Sequence, residues 1–341
     1  MRVRQNWVAA GRMGRVVMAS VVMALVVTAL AALTGASMAP AQAASYPDKT
    51  VTVISDAGTG SSPDVAMRIV AAALDNIWGQ QAVVVNHPGA NGSIAARAAS
   101  EAPSDGYTLY SPALSTFLAL PSVAPNLPVK LPRDFLPIGF IAQQPMFVAV
   151  DPKSGITTLP QLIDRAKKSP GTLSIAVSGI GRMTHLTGLL LQQKAGIKLI
   201  EVPYNGGPSA ALSDVAAGRV TMIIEGYSGI IGAVNAGQVK LIAVASPERL
   251  PEFPDLPTVA ETIPGFSAAG WLILAAPLGT PAPIISKVSA DLAKVVQEPD
   301  VKKKLVATGS YTHPMTPDQT LAFVDKQQDT WLPILKTIPT R

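Results

Sequence analysis

Short apolar runs rich in Val, Ile and Leu alternate along this chain with stretches whose apolar residues recur at three- and four-residue spacing. The short runs predict strands over 50–54, 82–85, 108–110, 147–150, 173–177, 199–202, 220–224, 241–245 and 271–275. The spaced stretches predict helices over 64–77, 93–100, 159–168, 184–194, 209–217, 229–235, 283–297, 301–308 and 317–335. Continuous apolar strands separated by helices imply sheets covered on both faces, an α/β architecture. Punctuation agrees: Ser62 is a candidate N-cap with Pro63 at the first helical position, Pro160 and Pro283 stand where helices begin, and Gly171, Gly218 and Gly237 close helix–strand units. The proline-rich segments 121–137 and 251–264 are expected to be surface connections.

Two strand-to-helix connections are rich in glycine and hydroxyls. The first runs from Ile54 to Asp64 and contains Gly58, Thr59, Gly60, Ser61 and Ser62. The second runs from Ser178 to His185 and contains Gly179, Gly181, Arg182 and Thr184. Glycine lets backbone approach a ligand closely, and a helix start offers unpaired N–H groups and a partial positive charge. Two such ends facing one cleft would hold an anion. A third connection, Val202 to Pro208, brings Tyr204, Asn205 and Gly206. Tyr204 offers an aromatic wall and a hydroxyl, or packs into the core with one hydrogen bond.

The chain has 341 residues, 48% hydrophobic and 14% charged, enough for two domains with sizeable cores. Of the formal +5 charge, Arg2, Arg4, Arg12 and Arg15 supply four in a leader that has no acid, so the remainder carries +1. That balance leaves no electrostatic footprint for nucleic acid. The leader continues through an apolar run, 16–33, to Ala41-Gln42-Ala43-Ala44, the pattern of a cleaved export signal over 1–43; an uncleaved membrane anchor is the alternative. The chain lacks cysteine, which excludes disulfides and thiolate metal sites. His87, His185 and His313 have no metal-ligand spacing, so no metal or cofactor is expected. Gly-x-Ser-x-Gly, His-Glu-x-x-His and phosphate-loop motifs are missing, and Thr184 stands where a dinucleotide fingerprint needs its third glycine. No catalytic residue is therefore assigned.

Order and spacing of several short motifs make the chain recognisable. Tyr46-Pro47-Asp48-Lys49 is followed by Asn86-His87-Pro88-Gly89-Ala90-Asn91-Gly92, then Asp105-Gly106-Tyr107-Thr108-Leu109 and Asp134-Phe135-Leu136-Pro137. Thr184-His185-Leu186, Val202-Pro203-Tyr204, Leu256-Pro257-Thr258-Val259-Ala260-Glu261 and Gly279-Thr280-Pro281 complete the series. Everything after residue 45 resembles the Bug or TctC family of periplasmic solute-binding proteins, receptors of tripartite tricarboxylate transporters. The resemblance implies a two-lobed periplasmic binding protein (Venus flytrap) fold, each lobe a mixed sheet flanked by helices. It implies lobe one at 46–146 plus 268–341 and lobe two at 147–267. It further implies a monomer that captures a small organic carboxylate between the lobes, without catalysis, and passes it to membrane transporter subunits.

The chain departs from the family pattern at the loops. The family's usual P-F-P-P-G-G-S-T-D is replaced by a more polar stretch in which Asp56 adds a negative charge, expected to point away or accept a backbone N–H, with a ligand amine as the other option. Arg182-Met183 replaces Thr-Pro, removing a helix-capping hydroxyl; Arg182 either clamps a ligand carboxylate or is solvated. Asn205 stands where Lys is common, and Thr221 where Asp is. Glu225 either receives a ligand ammonium or hydroxyl or forms a salt bridge on the sheet edge. The rival from another class is an exported α/β hydrolase or transferase acting in the same cleft.

Overall fold

A computed structural model describes residues 46–114, 116–118, 126–204 and 208–337. The predicted signal segment, with Asn205 and Gly206, lies outside them. The first half runs β1 (Val51–Ser55), α1 (Ser62–Trp78), β2 (Ala82–Asn86), α2 (Ser93–Ser100), β3 (Thr108–Ser111) and β4 (Phe135–Val150). Then follow α3 (Leu159–Lys168), β5 (Ser174–Val177), α4 (Met183–Ala195), β6 (Ile200–Pro203), α5 (Pro208–Ala216), β7 (Met222–Gly226), α6 (Tyr227–Asn235) and β8 (Lys240–Val244). The chain ends with β9 (Ala269–Pro277), α7 (Ala282–Val295), α8 (Pro299–Ala307) and α9 (Pro317–Leu335).

The strands follow the path β2-β1-β3-β9-β4-β7-β5-β6, with β8 on β4. β1 pairs in parallel with β2 and β3, and β5 with β6 and β7; every pairing of β4 and β9 is antiparallel. Both halves are thus mixed sheets, the two-lobed α/β arrangement. β4 joins them: residues Phe135 to Pro145 pair with β9, whereas Met146 to Val150 pair with β7.

β4 corrects the expectation from sequence, which places a strand only at 147–150 and a connection up to Pro137. Pro137 and Pro145 argue against a strand because proline cannot donate to a ladder. Here the register shifts between Pro137 and Gly139 and again between Phe140 and Ala142, so bulges absorb the irregular residues. Pro145 sits where β4 exchanges one partner for the other.

Helix formation follows the expected periodicity. α3 buries Leu159, Leu162, Ile163 and Ala166, one stripe of a 3.6-residue repeat, and Thr158 caps it by accepting from Gln161 N. Each large apolar side chain buried this way contributes ~1.5–3 kcal/mol. α1 buries Ala66, Met67, Val70, Leu74 and Trp78 and stops at Gly79, whose φ of 61° only glycine adopts freely. Solvent coverage shows in the edge strands. β2 alternates buried Ala82 and Val84 with exposed Val83 and Val85, whereas central β7 is buried throughout.

Candidate functional site

The first glycine-rich loop is folded by its own polar groups. Asp64, in the first turn of α1, accepts from Gly60 N (2.9 Å), Arg68 Nε (3.0 Å) and Asn86 Nδ2 (2.9 Å). Asn86 Nδ2 also donates to Ala57 O (3.0 Å), and Ser55 Oγ accepts from Ala57 N (3.2 Å). Gly60 adopts φ +77°, and a Cβ there would meet nothing within 4 Å; backbone conformation, not close approach, requires glycine. The helix opens one residue earlier than expected: Ser61, not Ser62, is the cap, with φ −71° and ψ 161°, and makes no capping bond. Ser62 is instead buried, its Oγ accepting from Gly229 N of α6 (3.3 Å).

The second loop is held in the same manner. Ser178 N donates to Thr184 Oγ1 (2.9 Å) and Gly181 N to His185 Nδ1 (3.0 Å). With Nδ1 accepting, the proton belongs on Nε2, which lies 3.0 Å from Glu201 Oε2. The hydrogen bond from His185 holds the Glu201 carboxyl below its ordinary range, against partial burial. Gly179 and Gly181 take φ of 103° and 78°. Arg182 occupies the cap position of α4 and supplies no side-chain cap, a loss of about 1 kcal/mol relative to a hydroxyl residue.

Arg182 reaches from the second loop to the first. Its Nη1 donates to Thr116 Oγ1 (3.1 Å) and lies 3.6 Å from Asp56 Oδ2; its Nη2 donates to Asp56 O (3.3 Å). The side chain is only 17% exposed, which excludes a solvated arginine. Asp56 accepts from Ala113 N (3.2 Å) and from the Thr116 hydroxyl. Burial pushes the Asp56 carboxyl up, while Arg182, Thr116 and the Ala113 amide pull it down.

The loops meet over a cavity of ≈ 110 Å³, room for several waters or one small metabolite. Gly58, Ser61 and Ser62 line it from the first loop, and Ser178, Gly179, Arg182 and Thr184 from the second. Glu225, on β7, completes the predicted residues that reach it. Central β7 gives Glu225 no sheet edge, and among the described residues it forms no salt bridge, contrary to one of its two readings. Its carboxylate accepts from Ser178 Oγ (3.0 Å) and Gly226 N (2.9 Å), and burial pushes its pKa up.

Thr59, Gly60, Asp64, Gly181, His185 and Tyr204 do not line the cavity. Gly60, Asp64, Gly181 and His185 build the loops from behind. Tyr204 turns away to donate to Asp214, and burial with that carboxylate raises its phenol to about 12. Asn205 and Gly206 lie outside the described residues. Sequence reasoning missed Gln144, Met146, Gly270 and Trp271, which line the cavity from β4 and β9; the unread half of β4 concealed Gln144 and Met146, and the strand pattern of β9 does not reveal the cavity it faces. Residues 88–92 line it too, and their signal was the Asn-x-Pro-Gly-Ala-x-Gly motif.

Among the described residues, two polar atoms on residues that line this cavity, Ser61 Oγ and Trp271 Nε1, are buried without a hydrogen-bond partner. Buried polar groups are seldom left unpaired. Among the described residues no cluster of His, Asp or Glu could hold a metal, and no helix is long and apolar enough to cross a membrane. The arrangement supplies backbone and hydroxyl donors around a small cavity. His185 has both ring nitrogens engaged, Nδ1 by the Gly181 amide and Nε2 by Glu201 on β6.

A family model described as "Tripartite tricarboxylate transporter family receptor" matches residues 66–339. The chain is 31% identical over 306 residues to Protein BugT of Bordetella pertussis, covering 89% of this chain and 93% of that protein. Among solved structures, R. palustris Rpa4515 with adipate superposes with a TM-score of 0.82 at 29% identity, covering 86% of this chain and 98% of that one. MatC from Rhodopseudomonas palustris with bound malate superposes with a TM-score of 0.77 at 27% identity, covering 85% and 100%.

Proposed function

The chain belongs to the tripartite tricarboxylate transporter receptor family, and from that premise we propose that it is an exported receptor for a small organic carboxylate. The acid sits in the cavity between the Gly58–Ser62 and Ser178–Thr184 loops. Ser61 Oγ and the amides at the two helix starts serve as donors to its carboxylate, directly or through water. Trp271 Nε1 supplies a further donor. The observation that carries this reading is one cavity lined by both glycine-rich loops, two of whose lining residues, Ser61 and Trp271, carry buried polar atoms without a hydrogen-bond partner among the described residues. Adipate and malate, bound by structural relatives, set the expected ligand size.

In this reading residues 1–43 are a signal peptide removed on export. The lobes comprise 46–146 plus 268–341, and 147–267. They close on the ligand because it contacts both, shifting the population toward the closed form. The closed monomer then delivers its solute to membrane subunits of a tripartite transporter and carries out no chemistry on it.

Thermal-shift screening and calorimetry of the chain lacking residues 1–43 against organic acids test this. One class of acid is expected to bind saturably at one site. Ligand at a hundredfold excess over Kd stabilises by about 2.7 kcal/mol, raising Tm by roughly 5 °C. Failure of every mono-, di- and tricarboxylate to shift Tm or release heat would refute the proposal.

A further inference from the structure

Three charged side chains line the cavity: Asp56, Arg182 and Glu225. Two of them answer each other, since Arg182 commits its guanidinium to Asp56 and Thr116. Glu225 is left over. It is 6% exposed, and among the described residues no cation lies within ion-pair distance of it. It feels the charge of Arg182 without touching it, and its hydrogen bonds come from one hydroxyl and one amide. The cavity therefore keeps one carboxyl group with no cation beside it at a fixed point.

A dicarboxylate would place like charges against that point, which a low-dielectric site penalises. A ligand cation would answer it. Met146, Met183 and Trp271 add apolar wall for a carbon skeleton. Resting on the carboxylate-receptor reading above, we infer that Glu225 is a second recognition point and that the ligand is a zwitterion, with its carboxylate on the loop donors and its ammonium on Glu225. Desolvation raises the Glu225 carboxyl, opposed by the Gly226 amide, Ser178 and Arg182; an ammonium in contact would oppose that rise further.

Calorimetry with matched probes distinguishes the possibilities: succinate against aspartate, glutarate against glutamate, and adipate against 6-aminohexanoate. In the wild-type protein at least one amine-bearing member is expected to bind tenfold or more tightly than its diacid. Glu225→Gln, checked for folding by its melting curve, is expected to erase that preference while leaving the diacid bound equally or better. Diacids that bind as well as every amine-bearing partner overturn this inference and leave the receptor proposal standing. So does a preference that survives Glu225→Gln. The wild-type comparison decides even if the variant does not fold. Wild-type protein that binds no acid of either kind overturns both.

Discussion

Replacing Gly92 by alanine separates two reasons for a glycine. Gly92 adopts φ +93° at the start of α2, and an added Cβ would lie 2.5 Å from Thr116 Oγ1, 2.9 Å from Thr116 Cγ2 and 3.1 Å from Asp56 Oδ2. The left-handed conformation costs a non-glycine residue about 1–2 kcal/mol. Overpacking adds about 1–3 kcal/mol, because Thr116 and Asp56 are buried and bonded to each other and to Arg182. The expected loss is therefore roughly 2–5 kcal/mol. Gly60 is the control: its φ is +77° and an added Cβ would have nothing within 4 Å, so Gly60→Ala should cost only the conformational part. Urea denaturation of both variants, with m-values compared, measures the difference. Equal losses would show that crowding at the Asp56–Thr116 contact contributes nothing. A Gly92→Ala loss below about 1 kcal/mol would remove both components of the reasoning.

Asp64→Ala should cost about 2–4 kcal/mol, since it strips a buried acceptor from Gly60 N, Arg68 and Asn86; denaturation checks this, and a loss within error of zero would deny the loop its anchor. Arg182→Leu should cost about 3–5 kcal/mol at pH 7 by stranding the Asp56 carboxylate, and adding Asp56→Asn should recover a large part; a double-mutant cycle with strictly additive losses would refute the coupling. His185→Ala should change how stability depends on pH. Glu201 has its folded pKa held below the unfolded one, so its contribution is present above the ordinary carboxylate pKa and fades as pH falls through the folded value. Melting curves between about pH 3 and 7 should lose that acid-side fall in the variant, and an unchanged profile would count against the His185–Glu201 bond.

Sequence was most legible where one local rule decides. Helix α3 combines a capping threonine, proline in the first turn and a clean apolar stripe, and its observed bounds are those its periodicity predicts. Elements decided by tertiary pairing are less legible. The first half of β4 carries two prolines and a glycine that local rules read as loop, and only antiparallel pairing with β9 makes it a strand. The same distinction runs through the site. The glycine-rich connections are visible because glycine and hydroxyls mark them, and eight of the predicted residues reach the cavity. Which side chains face it could not be read: Asp64 and His185 carry the right chemistry yet use it to hold loop amides. Arg182 and Asp56 lie far apart in sequence, so nothing local announced that one answers the other.

That pairing bears on how a ligand can be selective here. Each loop is fixed by bonds internal to its own side, through Asp64 and Asn86 on one and through Thr184 and His185 on the other. Such donors are oriented before a ligand arrives, so binding need not order them, and affinity is not diminished by that step. Among the described residues, hydrogen bonds between the loops and the elements opposite them include those of Arg182 to Asp56 and Thr116 and of Gly229 to Ser62. Gly226 permits the second, since a Cβ there would sit 2.7 Å from Ser62 Cβ. In the proposed reading, a ligand bridging both loops adds contacts to both sides, and closure depends on how its contacts differ between the open and closed forms. Discrimination in that reading falls to the cavity residues whose polar groups lack a partner, Ser61 and Trp271, and to the Glu225 carboxyl, which has no cation beside it among the described residues. An acid that satisfies only the first two leaves a buried carboxylate unanswered, whereas one that satisfies all three balances charge as well as hydrogen bonds.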